Sequence, residues 1–470
     1  MPIEYKKEEL EVLKRIGRAA DNINQEARLI GGFVRDKLLK RPTKDMDIVC
    51  LGDGIQLAKT VAQTLQPQPK VHIFKNFGTA QIKWEGYEIE FVGARKESYR
   101  YDSRKPVVQS GTIAEDQRRR DFTINALSVN LNPDSFGKLI DPFEGVKDLQ
   151  DEVIKTPLEP VKTFSDDPLR MMRAIRFATQ LQFTIEQNTF TGIKENAERI
   201  RIVSKERITE ELNKIILSKQ PSIGFELLFQ TEILHIIFPP MMRLHGVEVR
   251  EGKGHKDNFY HTLKVLDNIC PYTDDLWLRW AAILHDIGKP ATKRFESGHG
   301  WTFHGHEVVG SRMVPKIFKK LKLPLNEKMR FVKKLVALHL RPISLTKDNI
   351  TDSALRRLLF DAGDDLEALM LLCNADITSK NKKKVKRFKE NFKLVQQQLK
   401  EVEEQDRIKN WQPPVSGKEI MEAFHLKPSK TVGDIKNAIR EAILDGEIPN
   451  NKEAALQYMH KSAKELGIKT

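Results

Sequence analysis

Two aspartates, Asp45 and Asp47, are separated by a single residue in a short segment typical of a β-strand. On a strand, this spacing places both carboxylates on one face and turns Met46 to the other face. Mg²⁺ prefers oxygen ligands and bridges carboxylates to phosphates, and a pair of such ions can activate a hydroxyl and neutralise a departing phosphate. The two aspartates therefore predict a Mg²⁺ site for phosphoryl chemistry. The alternative for this pair alone is a solvated strand edge.

A phosphate-binding turn is predicted just before these aspartates. An apolar strand end leads into Gly31 and Gly32, and two glycines let backbone amides approach a phosphate closely. A helix beginning near Phe33 adds the positive end of its dipole, and Arg35 supplies a charge-assisted hydrogen bond to the same anion. The glycines alone are equally typical of a tight turn.

Arginine-rich segments follow in the first half of the chain. Residues 118–127 are RRRDFTINAL, where apolar residues tie the basic turn to a packed element. Residues 166–177 are DDPLRMMRAIRF. Without any further information, an aspartate caps a helix whose first residue is Pro168. Three arginines then line adjacent turns of that helix, at positions Arg170, Arg173 and Arg176.

Histidines and aspartates provide a second candidate site. Seven of the 12 histidines lie between His255 and His339, in otherwise helical sequence. Neutral imidazoles together with carboxylates suit Mn²⁺, Fe²⁺, Ni²⁺ or Zn²⁺, and an adjacent His-Asp pair on one helix can bind and bridge metals. The histidines and aspartates that could converge on a metal lie in the widely separated segments 260–261, 284–289, 304–307, 338–339 and 374–376.

Composition limits the class of protein. The formal charge of +14 over 470 residues favours a polyanionic partner, nucleic acid first, and on charge alone a merely soluble basic protein is the equal alternative. Three widely spaced cysteines indicate neither a disulfide framework nor a CxxC site. The charged N-terminus is unlike a secretory signal, and the apolar runs are too short to span a membrane. We expect a soluble, cytoplasmic protein that does not associate with membranes.

The elements that must position these residues predict an α+β architecture. Short strands are expected at residues 71–74, 79–84 and 87–92, whereas long helical patterns follow Pro160. We predict a head with a mixed β-sheet, an all-α neck and body, an all-α histidine-rich domain and a small helical tail. The predicted boundaries are 1–155, 156–250, 251–395 and 396–470.

The head motifs resemble those of the nucleotidyltransferase family that includes CCA-adding tRNA enzymes and bacterial poly(A) polymerases. Residues 29–49, LIGGFVRDKLLKRPTKDMDIV, match the family signature GGxVRDxLLxR followed by DxD. The resemblance implies that Asp45 and Asp47 are catalytic Mg²⁺ ligands. It also implies a nucleotide site whose residues are Gly32, Arg35, Arg120, Asp121, Asp167, Arg170, Arg173 and Arg176.

Individual roles in that nucleotide site follow from the same resemblance. Arg120 is expected to contact phosphate, and Asp121 is expected to lie near the sugar. Asp167 and Arg170 match the family's EDxxR motif, in which they hydrogen-bond the Watson-Crick edge of cytosine or adenine, and Asp166 replaces the family's Glu. Arg173 and Arg176 are expected to face the triphosphate or the RNA backbone.

A polar segment, residues 95–105, resembles the loop that CCA-adding enzymes use to switch from C to A addition. A disordered surface loop is the alternative. Further along the chain, the run Leu284-His-Asp-Ile-Gly-Lys289 resembles the HD-superfamily phosphohydrolases. That resemblance implies a four-ligand core of His261, His285, Asp286 and Asp376. His306 and His339 resemble the additional ligands of two-metal members, with Mn, Ni, Fe, Zn or Mg²⁺ as the metal.

Together these features predict an enzyme that adds C and A to tRNA 3′ ends from CTP and ATP, with an appended phosphohydrolase. A bacterial poly(A) polymerase or an A-adding enzyme is the nearest alternative. More distant alternatives are a non-catalytic RNA-binding protein and a nucleotide hydrolase that the head regulates. The HD substrate and the oligomeric state stay open.

Overall fold

The computed structural model describes residues 3–75, 78–100, 103–345, 351–378, 382–406, 408 and 411–468. The chain divides into two compact units, residues 1–239 and 240–470. The expected α+β head followed by helical domains is confirmed. The finer division into four domains stays a prediction, because the two-unit division leaves the head and neck together.

The first unit contains a seven-stranded mixed sheet. Its strand order is β3-β4-β5-β2-β1-β8-β9, with only β2 and β5 parallel among the paired strands. Two further pairs lie outside this sheet, an antiparallel β6-β7 hairpin and a parallel β10-β11 pair. The strands are β1 (Ala27–Ile30), β2 (Asp45–Cys50), β3 (His72–Phe74), β4 (Thr79–Trp84), β5 (Tyr87–Gly93), β6 (Arg95–Arg100), β7 (Ser103–Ser110), β8 (Ser128–Asn130), β9 (Leu139–Ile140), β10 (Val153–Ile154) and β11 (Thr184–Ile185).

Helices pack on this sheet and continue into the neck. The α-helices are α1 (Lys7–Asn22), α2 (Gly32–Leu38), α3 (Gly54–Thr64), α4 (Ile113–Arg118), α5 (Gly145–Gln150), α6 (Pro160–Asp166), α7 (Leu169–Leu181), α8 (Gln187–Glu195), α9 (Lys205–Ile216), α10 (Pro221–Gln230) and α11 (Ile233–Ile237). Short 3-10 helices are Thr123–Asn125, Pro133–Ser135 and Ala197–Ile202. The neck core lies between α7 and α9, where Ile175 and Leu212 are fully buried.

The predicted strands agree with the observed ones, and β2 shows why. Asp45 is exposed and Asp47 half-buried, whereas Met46 and Ile48 are fully buried. The alternation predicted for the two carboxylates is therefore present. It ends after Ile48, because the last residues of this central strand are covered on both faces. For residues 95–105, the sequence leaves a disordered surface loop as an alternative. The structure instead has the β6-β7 hairpin, with residues 101–102 outside the described residues.

The second unit is helical with two small hairpins. Its α-helices are α12 (Pro239–Met242), α13 (Asn258–Ile269), α14 (Leu276–Leu284), α15 (Lys289–Thr292), α16 (His306–Leu321), α17 (Glu327–Leu338), α18 (Arg341–Ser344), α19 (Asp352–Ala362), α20 (Leu366–Asp376), α21 (Lys382–Asp406), α22 (Gly417–Ala423), α23 (Lys430–Asp445) and α24 (Lys452–Glu465). The 3-10 helices are Cys270–Tyr272 and Gly363–Asp365. The hairpins are β12 (Val249–Arg250) with β13 (Lys253–Gly254), and β14 (Arg294–Glu296) with β15 (Gly300–Thr302).

The core of this unit is built around α14, whose residues Trp280 to Leu284 are all fully buried. The predicted tail helices are present, and α23 packs on α19, where Arg357 forms ion pairs with Glu441 at 2.5 Å and Asp445 at 2.9 Å. Among the described residues, no helix is both long and apolar enough to cross a bilayer.

Candidate functional site

The two aspartates of β2 gain a third carboxylate from the neighbouring strand. Asp47 is in register with Ile30 on one side and with Glu90 of β5 on the other. The pKa of Asp47 is raised to about 6, chiefly by burial; Arg120 and Arg173 oppose this rise, and Glu90 and Asp45 add to it. Three carboxylates on one patch of sheet repel one another, and a divalent cation relieves this repulsion. The donor set therefore fits Mg²⁺.

Gly31 brings the turn before α2 directly against this carboxylate group. Its φ is +83°, and a Cβ there would lie 3.0 Å from Arg120 Nη1 and 3.3 Å from Asp47 Oδ2. Only glycine leaves this space open at such a backbone angle. Gly32 begins α2, as expected for a helix starting near Phe33.

Arg35 and Arg120 differ in how far their charges are already satisfied. Arg35 is buried, donates to Asn125 Oδ1 at 2.7 Å and forms an ion pair with Asp36 at 2.9 Å. Arg120 has a longer ion pair with Asp116 at 3.3 Å, and its buried Nε has no partner among the described residues. An unpaired buried N–H is costly, so Arg120 is the arginine better prepared to receive an anion.

Asp121 is held by a fixed set of donors. Its Oδ2 accepts from Arg173 Nε at 2.7 Å, and its Oδ1 accepts from the Phe122 amide at 2.9 Å and from Asn125 at 3.0 Å. Burial alone raises the pKa of Asp121, but Arg173 and Asn125 outweigh burial and hold the pKa well below its ordinary range. Asp121 is therefore a charged acceptor in a fixed orientation.

The pair Asp167 and Arg170 lies at the start of α7. Asp167 Oδ1 accepts from the Leu169 amide at 3.2 Å, so this aspartate caps the helix, whose first residue is Leu169 rather than Pro168. Arg170 Nη2 donates to the main-chain carbonyl of Arg119 at 2.7 Å. The guanidinium of Arg119 in turn contacts Glu97 Oε1 at 3.0 Å. The hairpin residue Glu97 is thus linked to Arg170 through Arg119.

A cavity of about 600 Å³ is lined by most of the site residues predicted for the head. Of the predicted site residues, its lining includes Asp47, Arg120, Asp121, Asp167, Arg170 and Arg173. Residues that the sequence reasoning did not select also line it: Phe74, Thr79, Gln81, Glu90, Val92, Arg95 and Arg119. Glu90 carries no recognisable motif and is brought here by strand pairing, whereas Arg95 begins the segment 95–105 that resembles the switching loop.

Four predicted residues are outside the lining of this cavity: Gly32, Arg35, Asp45 and Arg176. Asp45 is exposed on the same strand face as Asp47. Arg176 is mostly buried, pairs with Glu211 at 2.6 Å and lies over the Phe177 ring at 4.0 Å. The structure therefore places Arg176 outside the cavity lining, and its expected contact with the triphosphate or the RNA backbone stays a prediction. Its charge is already neutralised within the neck.

The second site brings all six predicted ligands together. His261 Nε2 lies 2.9 Å from Asp376 Oδ1 and 3.4 Å from Asp286 Oδ2, and His285 Nε2 lies 3.2 Å from Asp286 Oδ2. His306 Nε2 is 3.2 Å from the other oxygen, Asp286 Oδ1. His339 Nε2 lies 3.8 Å from that same oxygen and 3.4 Å from His306 Nε2.

Each of the four histidines is fixed through its other ring nitrogen. The Nδ1 atoms of His285, His306 and His339 face main-chain carbonyls at 2.7, 2.8 and 2.7 Å, and His261 Nδ1 faces Thr378 Oγ1 at 2.9 Å. A carbonyl only accepts, so in the neutral form of those three rings Nδ1 carries the proton and the Nε2 lone pair faces Asp286. Lone pairs and carboxylate oxygens facing each other need a cation between them. The donor set fits metal ions.

Asp286 is shared between two possible ion positions. Two groups have ligand atoms close enough for one ion each, His261-His285-Asp286 and Asp286-His306-His339. The two oxygens of Asp286 are divided between these groups, an arrangement suited to a bridging carboxylate. Lys289 Nζ also contacts Asp286 Oδ2 at 2.5 Å. A positive side chain therefore lies beside the shared carboxylate.

The pKa shift of His285 indicates that the carboxylates of the second site favour a nearby positive charge. Burial lowers the pKa of His285, but Asp286 and Asp376 outweigh burial and raise that pKa to about 10. Burial and the neighbouring His285 lower the pKa of His339 to about 4. The carboxylates of Asp286 and Asp376 thus favour positive charge at this site.

Gly288, the glycine of the His-Asp-Ile-Gly-Lys run, lets two helices come close. A Cβ there would lie 2.2 Å from the carbonyl oxygen of His306 and 2.7 Å from the amide of Gly310. The close approach brings Asp286 and His306 within reach of each other, which sequence spacing alone does not reveal.

Comparison with known proteins gives matches to the regions of the chain that contain both sites. Family models match at residues 27–155 (Poly A polymerase head domain), 182–244 (Probable RNA and SrmB- binding site of polymerase A) and 258–381 (HD domain). The chain is 32% identical to an A-adding tRNA nucleotidyltransferase of Deinococcus radiodurans, covering 73% of this chain and 78% of that protein. It is 31% identical to a multifunctional CCA protein of Shewanella frigidimarina, covering 74% and 83%.

A solved structure supports the fold independently. The apo form I of a CCA-adding enzyme superimposes with a TM-score of 0.65 at 21% identity, covering 98% of this chain and 96% of that one.

Proposed function

The chain belongs to the family of tRNA nucleotidyltransferases and poly(A) polymerases, and we propose that it adds C and A to tRNA 3′ ends from CTP and ATP. It is a nucleotidyltransferase with an HD domain. The observation that carries the proposal is the head cavity, where Asp47, Arg120, Asp167 and Arg170 share one lining. We also propose a cytoplasmic location, which suits a tRNA substrate and three buried free cysteines.

Asp45, Asp47 and Glu90 are the residues that would hold Mg²⁺ in the head. When bound, Mg²⁺ supplies activation of the RNA 3′-hydroxyl and charge neutralisation for departing pyrophosphate. The chain's own contribution is to hold three carboxylates on adjacent strands with a fixed register. The half-buried Asp47 must be deprotonated to act as a ligand, which the adjacent Arg120 favours.

Arg120 and Asp121 are proposed to orient the nucleotide. Arg120 has a buried Nε without a partner among the described residues, and its Nη1 lies beside the open space at Gly31, which suits a phosphate oxygen. Asp121, fixed by Arg173 and Asn125, is an acceptor for a sugar hydroxyl. Arg173 keeps a partly exposed guanidinium at the cavity wall and is proposed to face the triphosphate.

Asp167 and Arg170 are proposed to select the base. A carboxylate accepts from an exocyclic amine, and a guanidinium donates to a ring nitrogen or carbonyl, a pattern that cytosine and adenine present and uracil lacks. Asp167 and Arg170 both line the cavity at the opening of α7. The Arg119 carbonyl holds the Arg170 side chain in place.

The HD domain is proposed to hydrolyse phosphate esters with one or two divalent metal ions. The residues that would hold the ions are His261, His285, Asp286, His306, His339 and Asp376. The ions supply a Lewis acid and a nucleophilic hydroxide when bound. Mn²⁺, Ni²⁺, Fe²⁺ and Zn²⁺ suit this nitrogen-rich donor set best, and Mg²⁺ suits it less. Lys289 is proposed to bind the substrate phosphate.

One experiment tests the main proposal. Purified protein is incubated with tRNAs lacking CCA, CC or only the final A, with Mg²⁺ and with CTP and ATP singly and together, and the products are sized. We expect extension of all three tRNAs that stops at CCA. Extension of only the tRNA that ends in CC would support the A-adding activity named for the Deinococcus radiodurans relative. Long A tails on unrelated RNA would instead indicate a poly(A) polymerase.

A further inference from the structure

Aromatic rings lie beside the HD cluster in the segment that leads into α16. Trp301 lies on β15 and Phe303 directly follows the strand; both side chains are half-buried. The carbonyl oxygen of Phe303 accepts from His306 Nδ1 at 2.8 Å, so this segment is bonded directly to a candidate metal ligand. The imidazole of His255 lies edge-on to both rings, with centroids 5.6 Å from Trp301 and 5.7 Å from Phe303.

A lysine side chain lies near each of these rings, and both lysines are also paired with acidic side chains. Lys289 Nζ contacts Asp286 Oδ2 at 2.5 Å and lies 5.7 Å from the Phe303 centroid, between the candidate ligand and the ring. One helical turn later, Lys293 Nζ lies 4.4 Å from the Trp301 centroid. A phosphate at Lys289 therefore has an aromatic surface within the length of one nucleoside.

The neighbouring hairpin completes this surface with more positive charge. Lys253 of β13 donates through Nζ to the carbonyl of Gly298, and Arg250 of β12 lies 4.8 Å from the Phe295 centroid. The indole N–H of Trp301 is buried and has no partner among the described residues. Because an unpaired buried donor is costly, a ligand with an acceptor group beside this N–H would be stabilised.

We propose that Trp301 and Phe303 form a base-stacking subsite for the last nucleoside of an unpaired RNA strand whose phosphate is bound at Lys289 and the HD cluster. This inference rests on the proposed phosphohydrolase function and adds the residues that recognise its substrate. Aromatic rings flanked by lysines bind single-stranded nucleic acid because every base offers a π-face and every nucleotide a negative charge. A small phosphate ester without a base gains nothing from this surface.

A crosslinking experiment tests the subsite without metal and without turnover. A single-stranded RNA pentamer ending in 4-thiouridine is irradiated with the full chain in EDTA, and tryptic peptides are identified by mass spectrometry. We expect crosslinks in peptide 295–312, which contains both rings. Trp301→Leu should reduce them about tenfold, because stacking contributes about 1–3 kcal/mol per base. Trp301→Phe should retain them within about threefold.

The matched control is Trp277→Leu, since this half-buried tryptophan lies on α14, outside the β12–β15 hairpins. A normal melting temperature for each variant is required, and Phe303→Leu is the second variant if Trp301→Leu fails to fold. Absence of crosslinks in peptide 295–312, or equal crosslinks in Trp301→Leu and wild type, overturns the subsite.

Steady-state kinetics separate this inference from the function beneath it. With adenosine 2′,3′-cyclic phosphate, Trp301→Leu should raise KM about tenfold with little change in kcat. With ribose 2,3-cyclic phosphate, which has no base, neither constant should change. An equal loss on both substrates overturns the subsite in favour of a structural role. If the wild type hydrolyses neither substrate with any of the candidate metals, the phosphohydrolase proposal fails, and the crosslink still decides the stacking.

Discussion

Arg170 donates a hydrogen bond through Nη2 to the main-chain carbonyl oxygen of Arg119, at 2.7 Å. Arg119 itself forms ion pairs with Asp116 and with Glu97 of the β6-β7 hairpin. The side chain of Glu97 is only 4% exposed and also pairs with Arg95 at 3.0 Å. Arg170, proposed to select the base, is therefore linked to Glu97 of the hairpin through two contacts, its hydrogen bond to Arg119 and the ion pair between Arg119 and Glu97.

This relationship predicts a selectivity defect when Glu97 is replaced. Hydrogen bonds to charged groups contribute about 1.5–3 kcal/mol, so Glu97→Gln should lower kcat/KM for CTP and ATP about tenfold. UTP incorporation should stay at its low level. The control is Glu115→Gln, which removes an exposed pair with Lys96 at 3.4 Å on the nearby α4. Unchanged CTP and ATP kinetics in Glu97→Gln would rule out this link.

The turn at Gly31 provides a second prediction, in which strain and contact are separable. Gly31→Ala should cost about 1–3 kcal/mol of backbone strain and should also push a methyl group against Arg120 and Asp47. Gly137 has a similar φ of +82° but open space around its Cβ position. Urea unfolding should show comparable destabilisation of both alanine variants, whereas only Gly31→Ala should lose nucleotide addition. Equal activity of the two variants would contradict a role for the space at Gly31.

Much of this site was predictable because its signals are local. The alternation at Asp45 and Asp47, the start of α2 at Gly32 and the strands β3 to β5 follow from nearest-neighbour patterns. Glu90 was missed because its position depends on β5 lying parallel beside β2, a pairing between distant segments.

Arg176 is a residue whose local sequence pattern does not reveal its partner, because that partner comes from another helix. Its helical spacing from Arg173 suggests a shared basic face, but α9 contributes Glu211, and the ion pair holds Arg176 inside the neck. In the second unit, the resemblance selected the six ligands. The sequence could not show that Asp286 divides its two oxygens between two histidine pairs, because this depends on the close packing at Gly288.

Independence of the two active sites is a third prediction. Asp47→Ala should lower nucleotide addition at least about a hundredfold, because it removes a ligand for the ion that neutralises the leaving group. Phosphoester hydrolysis should be unchanged. His285→Ala should abolish hydrolysis and leave CCA addition within about twofold. The measurement is both activities on each variant, with metal content determined by mass spectrometry. A variant that loses both activities while remaining folded would contradict the assignment.

The ion pair between Asp121 and Arg173 predicts a pH-dependent contribution to stability. Burial alone raises the pKa of Asp121, but Arg173 and Asn125 lower it well below the ordinary value, so folding favours the charged form. A group with a depressed folded pKa stabilises the protein above its unfolded pKa, about 3.9 for aspartate. That stabilisation is lost as the pH falls through this value toward the folded pKa. Asp121→Asn should therefore reduce the free energy of unfolding at pH 7 by about 2–3 kcal/mol. The difference from wild type should shrink between about pH 5 and pH 3.

Urea unfolding at several pH values measures this difference, with Asp134→Asn, an exposed aspartate of the same unit, as the control. The control should show no pH-dependent difference from wild type, because it removes a solvated carboxylate with no buried partner to lose. A deficit of Asp121→Asn that stays constant from pH 7 to pH 3 would mean that Asp121 acts by packing alone. A deficit that shrinks on acidification would identify the charge on Asp121 as the stabilising feature.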